Sequence, residues 1–437
     1  MPTQTQLIDE ARLFETLCNV YALRTGFEQV KRNDGAPGID GVTTKMFETQ
    51  LDEELSRLQK ELSDWTYQPH AVRRVEIPKD GGQGVRILGI PTVRDRVVQT
   101  TLKALLEPLF DPHFSMHSYG FRPGRNQQQA LQAAQQIVLG GKGFVVDIDL
   151  EKFFDRIHHD RLIARLGQRI SDPRILRLIG MTLRSGVMTQ GITGALEEGS
   201  PQGSPLSPLL SNVVLDELDQ ELEQRGLEFC RFADDCNIFV RTRAAAERVM
   251  TSVSRFIESR LRLKVNPIKS QVAPTERVKF LGMTIIEGTL AISRKAMNAA
   301  LATVKTLTPR GSHQKLEETV NDLNRWYKGW SVYYAQTQYP SQLKGIEAHM
   351  RRRLRSRLID HHRRPRDLFA KLVKRGVAPK HAGFVLRSSL GRWAMSNRKP
   401  LTRAYPNVWF IDTLGQFICS TARRPHWFEL DRWIKLP

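Results

Sequence analysis

The sequence predicts an α+β fold: a mixed α/β sheet covered by helices, followed by a region of helices alone. Three observations predict it. Up to about residue 292, strand-like alternation and helical three-and-four spacing take turns. After about residue 293 only the helical period remains. Positive charge gathers at the same helical end. Residues 341–437 hold 22 Lys and Arg against 6 Asp and Glu, so most of the formal net charge of +20 sits in the last fifth of the chain.

In chain order, residues 7–31 and 45–64 carry helical spacing. Between them Asn33-Asp-Gly-Ala-Pro-Gly-Ile-Asp-Gly41 is a Gly-rich turn segment, either a plain connector or a loop able to approach another backbone closely. Val72–Pro78 alternates like a strand, 79–84 turns, and Val85–Pro91 returns, so Lys79 and Arg86 stand as two cations that a phosphate chain could bridge. A helix over 93–110 follows, then the basic loop Ser118–Arg125 leading into a helix over 126–139. A strand over 143–150 is followed by Phe153 and Phe154 and by helical spacing over 159–184. Gly199–Leu210 is a turn-rich entry, presenting Gln202, into a helix to about 224; another helix spans 243–261. Val278–Ile285 reads as a short strand pair.

In the helical region Leu316, Val320, Leu323, Tyr327, Trp330 and Tyr334 recur at four-and-three spacing, which predicts a buried stripe. Arg325, Trp326, Lys328 and Tyr333 lie off that stripe and can meet a nucleic-acid backbone. The runs Arg351–Arg357 and His361–Arg366 hold the densest positive charge, which reads as a polyanion-binding surface. Cys18, Cys230, Cys236 and Cys419 are scattered and form no Cys-x-x-Cys pair, which argues against a zinc module or a disulfide framework. With no signal peptide and no apolar run near the ~18 residues that would span a bilayer, the expectation is a reduced cytoplasmic protein without a membrane partner. Monomer and homodimer remain equally open.

The chemistry centres on Phe229-Cys-Arg-Phe-Ala-Asp-Asp-Cys-Asn-Ile-Phe-Val240. Apolar segments flank Ala233-Asp234-Asp235, which predicts a hairpin with carboxylates at its tip. Adjacent anions repel unless cations sit between them. Further carboxylates lie upstream in Phe144-Val-Val-Asp-Ile-Asp-Leu150, where alternation puts Asp147 and Asp149 on one face and does not choose between them. Such a cage suits phosphoryl or nucleotidyl transfer with two metal ions about 3.5–4 Å apart. Oxygen-only ligands favour Mg²⁺ or Mn²⁺ over zinc.

Eight blocks in this order resemble the reverse transcriptases encoded by group II introns, the maturase family: 35–41, 77–91, 118–125, 146–155, 199–211, 232–235, 263–269 and 280–282. The resemblance implies a right-hand polymerase, with an N-terminal extension and fingers over 1–142, a palm over 143–292, a helical thumb over 293–365 and a basic DNA-binding segment over 366–437. It implies Asp149, Asp234 and Asp235 as catalytic metal ligands for two Mg²⁺ ions, with the Leu150 carbonyl completing one site and Asp147 a neighbour. Lys79, Arg86, Gln202 and Ala233 match the dNTP site, and Phe154 the steric gate that favours deoxynucleotides. Lys269 matches a palm lysine near the leaving phosphate, as general acid or salt-bridge partner alike. Phe280, Leu281 and Gly282 match the primer grip. Arg122, Arg125, Arg325, Lys328, Arg351, Arg352, Arg353, Arg363 and Arg364 are the implied nucleic-acid contacts. Partners would be group II intron RNA or another RNA template, a DNA primer or target, and dNTPs. Two departures stand out: Phe232 occupies a position where the family usually has Tyr, and no Cys/His-bearing endonuclease module follows, so priming is expected from a strand cut or synthesised elsewhere. A splicing factor with a dead polymerase site and a domesticated host enzyme for repair or phage defence are the competing expectations.

Overall fold

The structure, a computed structural model, describes residues 12–78, 84–189, 192–194, 199, 203–309, 312–360 and 364–423. It divides into two compact units, Met1–Val278 and Lys279–Pro437.

Among the described residues the first unit carries eight strands: β1 Val72–Pro78, β2 Val85–Ile90, β3 Phe144–Ile148, β4 Val187–Thr189, β5 Ile192–Gly194, β6 Glu228–Phe232, β7 Asp235–Val240 and β8 Gln271–Pro274. They form two sheets, ordered β2-β1-β4-β5 and β6-β7-β3-β8. The second is antiparallel throughout, and the parallel pairing sits in the first, between β1 and β4. β3 is therefore central, and its inward residues Val146 and Ile148 join Phe229 and Ile238 in one buried core with the helix Ser207–Gln224.

The expected helix over 93–110 is Val93–Phe110, started by Thr92, whose hydroxyl accepts from the Asp95 amide. Asp95 is itself buried, and its carboxylate accepts from the Tyr67 hydroxyl (2.7 Å), the Thr92 hydroxyl (2.7 Å) and the His70 amide (3.0 Å). The same carboxylate lies 3.3 Å from His70 Nδ1 and raises the imidazole pKa above its usual 6.5 by hydrogen bonding. A cation held above its ordinary value stabilises the fold fully below that value and stops doing so as pH rises through the raised one. His70→Asn is thus expected to lower the melting midpoint at pH 6 and to have a smaller effect at pH 9. An effect independent of pH would show that the pair contributes no charge-linked stability.

The Gly-rich stretch at 33–41 approaches its own chain. Arg96 donates to the Ala36 carbonyl at 2.9 Å, and a methyl on Gly38 would lie 2.6 Å from Thr92 Cα. Residues 159–184 form two helices rather than one, His159–Leu166 and Pro173–Arg184. Gly167 ends the first, and Asp172 caps the second ahead of Pro173 at its first position.

In the second unit the strand pair is shifted from its expected place at 278–285. β9 Met283–Ile286 pairs with β10 Thr289–Ile292, and Phe280 only bridges back to Met283. The left-handed backbone of Glu287 and Gly288 makes the two-residue turn. Helices follow, chiefly Arg294–Leu307, Leu316–Tyr333 and the 21-residue Pro340–Asp360. Val320, Leu323 and Tyr327 of the expected stripe are buried, and Tyr327 donates to buried Glu347 at 2.9 Å.

The arginine run on Pro340–Asp360 points largely inward, which corrects its reading as an open basic surface. Arg351 is only 8% exposed. Arg353 donates to the Thr308 hydroxyl at 2.9 Å and to its carbonyl at 2.6 Å. Arg355 and Arg357 are buried, with Arg355 bonded to the Tyr405 carbonyl at 2.8 Å. Long guanidinium side chains cover apolar surface while tying carbonyls of neighbouring helices together. Among the described residues no helix is long and apolar enough to cross a membrane.

Candidate active site

β6 and β7 form a two-residue hairpin, with Phe232 paired to Asp235 and Ala233-Asp234 as the turn. Ala233 adopts a left-handed backbone (φ 57°), so the turn is held in a conformation its sequence does not favour. β3 runs antiparallel to β7 with Ile148 opposite Cys236, and the next step of that register sets Asp149 against Asp235. The fold therefore brings the three carboxylates to one end of one sheet. Asp235 is exposed, while Asp149 and Asp234 are half-buried. Burial raises the Asp234 carboxyl above its ordinary range, the negative charge of Asp149 adds to the rise, and Arg86 and Lys269 oppose it. Asp234 thus feels the charge of Asp149 across the strands and those of Arg86 and Lys269 against it.

Asp149 is fixed from the side away from β7. Its carbonyl accepts from the Asn266 amide at 2.8 Å, its amide donates to Ser270 Oγ at 3.0 Å, and Glu151 N–H bonds the Lys264 carbonyl at 2.8 Å. Carbonyls alternate along an extended strand, so that of Leu150 is directed away from 264–266, towards the β7 side. Asn266 Oδ1 also accepts from the amides of Ile268 and Lys269 (3.1 and 3.2 Å), and this turn delivers Lys269 Nζ to 3.3 Å from both carboxylate oxygens of Asp149.

Among the described residues no three Asp, Glu, His or Cys side chains stand close enough together to hold a metal ion as they are. The cation against Asp149 is Lys269. The donor chemistry nevertheless suits a hard divalent ion: the candidate ligands are carboxylates and a main-chain carbonyl, and the carboxylates repel each other until a cation intervenes.

Sequence reasoning missed what lies beneath the turn. Arg231 and Asp219 form an ion pair with both side chains wholly buried. Arg231 also donates to Asn212 Oδ1 (3.0 Å) and to the Ala233 carbonyl (2.9 Å), and Asn212 donates to the Gly120 carbonyl (2.9 Å). Gly120 is needed there: a methyl would lie 2.9 Å from the Phe232 carbonyl carbon and 3.0 Å from Ala233 Cα. Loop 118–125 is thereby locked onto the hairpin, reinforced by the Tyr119 amide bonding the Arg231 carbonyl at 2.8 Å.

The remaining expected residues sort by environment. Lys79, Gln202 and Arg363 lie outside the described residues. Arg86 is exposed on β2 opposite Ile77. Phe154 is half-buried, edge-on to Phe153 at 5.1 Å, and Gly199 packs against the backbone of Phe154 and Asp155. Arg122 does not stand as a nucleic-acid contact, because Asp111 already neutralises its guanidinium, which also donates to the Ser115 and Ser118 carbonyls. Arg351 is buried, and Arg353 is half-buried with bonds to Thr308. Arg125 is half-buried over the Tyr119 ring. Arg325, Lys328 and Arg364 are exposed. Leu281 and Gly282 take left-handed backbone in a turn whose Gly282 faces the Tyr334 hydroxyl, and Tyr333 donates to the Leu281 carbonyl at 3.3 Å.

A carboxylate hairpin registered against a third aspartate, with Arg86 and Lys269 nearby, has the donor types that nucleotidyl transfer uses. Residues 77–285 match the family Reverse transcriptase (RNA-dependent DNA polymerase), and residues 297–376 match Group II intron, maturase-specific domain. Protein YkfC of Escherichia coli (strain K12) is 35% identical over 289 residues, 57% of this chain and 76% of that protein. Group II intron-encoded protein LtrA of Lactococcus lactis subsp. cremoris is 33% identical over 226 residues, 51% of this chain but only 37% of LtrA. A putative COX1/OXI3 intron 1 protein of Saccharomyces cerevisiae is 32% identical over 212 residues, 48% of this chain and 25% of its own. The chain is by class an RNA-directed DNA polymerase. It belongs to the group II intron reverse transcriptase/maturase family, whose polymerase module depends on a divalent metal and whose modules bind RNA and DNA.

Proposed function

We propose that this chain extends a DNA primer along an RNA template, using Asp149, Asp234 and Asp235 to hold two Mg²⁺ ions (Mn²⁺ substituting), and that it binds group II intron RNA to assist splicing and mobility. The observation that carries the reading is the register that puts Asp149 beside the Asp234–Asp235 turn, with Arg86 and Lys269 acting on Asp234. In this reading residues 1–142 supply fingers, 143–292 the palm, 293–365 the thumb and 366–437 a basic DNA-binding segment.

When bound, the ions would supply activation of the primer 3′-hydroxyl and neutralisation of the leaving pyrophosphate. The protein's own groups do the rest. Arg86, with Lys79, binds triphosphate oxygens by charge-assisted hydrogen bonds. Lys269 exchanges its Asp149 partner for a phosphate oxygen, as salt-bridge partner or proton donor. Gln202 and Ala233 line the nucleotide, and Phe154 sits under the sugar, where its ring excludes a 2′-hydroxyl. Leu281–Gly282 supports the primer end, and exposed Arg325, Lys328 and Arg364 meet the backbone.

The test is incorporation of labelled dNTPs onto a primer annealed to an RNA template by the purified full chain. Mg²⁺-dependent extension that EDTA stops is expected. RNA binding with no incorporation at any divalent concentration would leave an RNA-binding splicing factor in place of the enzyme.

A further inference from the structure

A groove of about 650 Å³ runs along the helix Pro340–Asp360 in the second unit, with Gly345 and Ala348 in its lining. Among the described residues His349, Arg352, Arg355, Asn397, Thr402 and Asn407 line it, and no carboxylate does. The cations are held rigidly. Arg352 stacks 3.9 Å from the centre of the Trp393 ring and donates to the Trp393 carbonyl at 3.2 Å, while its Nε is buried without a hydrogen-bond partner. Arg355 is 5% exposed and donates to the Tyr405 carbonyl at 2.8 Å and to Asn407 Oδ1 at 2.7 Å. His349 packs edge-on to the same Trp393.

Arg231 shows the contrast: buried as well, it has Asp219 to neutralise it. Among the described residues Arg355 has only neutral acceptors, and burial together with neighbouring Arg351 pushes its pKa down to about 10. Burial and the charges of Arg353 and Arg352 also lower His349. Positive charge buried without an anion costs free energy, and this cost is recovered when a ligand brings the anion.

We propose that this groove seats one or two consecutive phosphate groups of a nucleic-acid strand, gripped by Arg352 and Arg355 with the rim amides of Asn397 and Asn407 alongside. The proposal rests on the reading that the chain binds nucleic acid; to Arg352, already among the expected contacts, it adds buried Arg355 and a defined groove.

The test puts the missing carboxylate into the protein. Asn407→Asp places it on the atom that Arg355 already contacts, and Thr402→Glu places one elsewhere in the lining. Exposed Ser389→Asp controls for added charge alone. Each full-length variant is titrated with a 20-nucleotide single strand, as RNA and as DNA, over a salt series, and with inorganic phosphate as competitor. Asn407→Asp is expected to raise the melting midpoint and to weaken strand binding about tenfold. It should also flatten the log–log salt dependence by about 0.7 per phosphate lost, and Thr402→Glu should match it in binding while Ser389→Asp leaves the slope unchanged. The arm with the larger loss, RNA or DNA, identifies the strand. Wild-type affinity and slope in both groove variants overturn the groove, as does an effect confined to inorganic phosphate. If wild-type primer extension persists in that case, the polymerase reading is untouched. A wild type that neither extends primers nor binds strands removes both.

Discussion

Asp234→Asn is expected to cut primer extension by about 10³-fold or more without weakening the fold. Removing a single preorganised electrostatic stabiliser typically costs about 10²–10³ in rate, and here the change also deletes a proposed metal ligand. Stability should move the other way. Burial and the charge of Asp149 hold the Asp234 carboxyl above its ordinary 3.8. A carboxyl raised in this way weakens the fold as pH climbs from the ordinary value through the raised one, and the penalty is complete above it. At pH 7.5 in EDTA the Asn variant should therefore melt at or above the wild-type midpoint. Adding Mg²⁺ should stabilise the wild type by mass action and leave the variant behind. Single-turnover extension and melting with and without Mg²⁺ measure both. A variant that keeps a tenth of wild-type synthesis would remove Asp234 from the metal site, and one that unfolds in EDTA would make the residue structural.

The hairpin was legible because its signal is local. Two apolar segments free of Gly and Pro bracket Ala233-Asp234-Asp235, and turn chemistry with alternation suffices to place them. Asp149 was half legible: alternation put it with Asp147, and the preference for Asp149 came from resemblance. Residues whose role depends on what covers them were not legible. Arg231 sits in an apolar strand like an outward-facing charge, yet the helix Ser207–Gln224 lies over it. A signal was available, since Asn212 and Asp219 stand seven apart among Leu209, Leu215 and Leu222, polar groups on what helical spacing marks as the buried face. Buried polar groups need partners, and Arg231 is theirs. The run at 351–357 failed for the opposite reason. A dense arginine stretch usually marks a solvated face, but here helices packed on several sides of Pro340–Asp360 turn Arg351, Arg355 and Arg357 inward. Sequence spacing carries no information about how many sides of a helix are covered.

Arg231→Met tests whether the buried pair merely holds the fold or also sets the turn. Removing one partner of a buried ion pair strands the other, at a cost of about 3–5 kcal/mol, and each further buried acceptor left unpaired adds about 1–3 kcal/mol. The single variant should therefore melt well below wild type. Converting the stranded acid as well, in Arg231→Met with Asp219→Leu, removes the uncompensated charge and should recover much of the lost stability, because apolar replacement of a buried pair is often neutral. Catalysis should not recover. Arg231 is the donor to the Ala233 carbonyl and, through Asn212, the link to Gly120. Ala233 occupies a left-handed backbone that Asp234 and Asp235 depend on for their placement. A turn that relaxes by about 1 Å loses on the order of 10²-fold in rate even with every catalytic group present. The loss should appear in kcat and in a raised Mg²⁺ requirement, because the carboxylates would be displaced, while the KM for dNTP changes little, because Arg86 lies on another sheet. A double variant that regains both stability and wild-type kcat would reduce Arg231 to packing. Recovered stability with kcat still down identifies it as the residue that aims the turn.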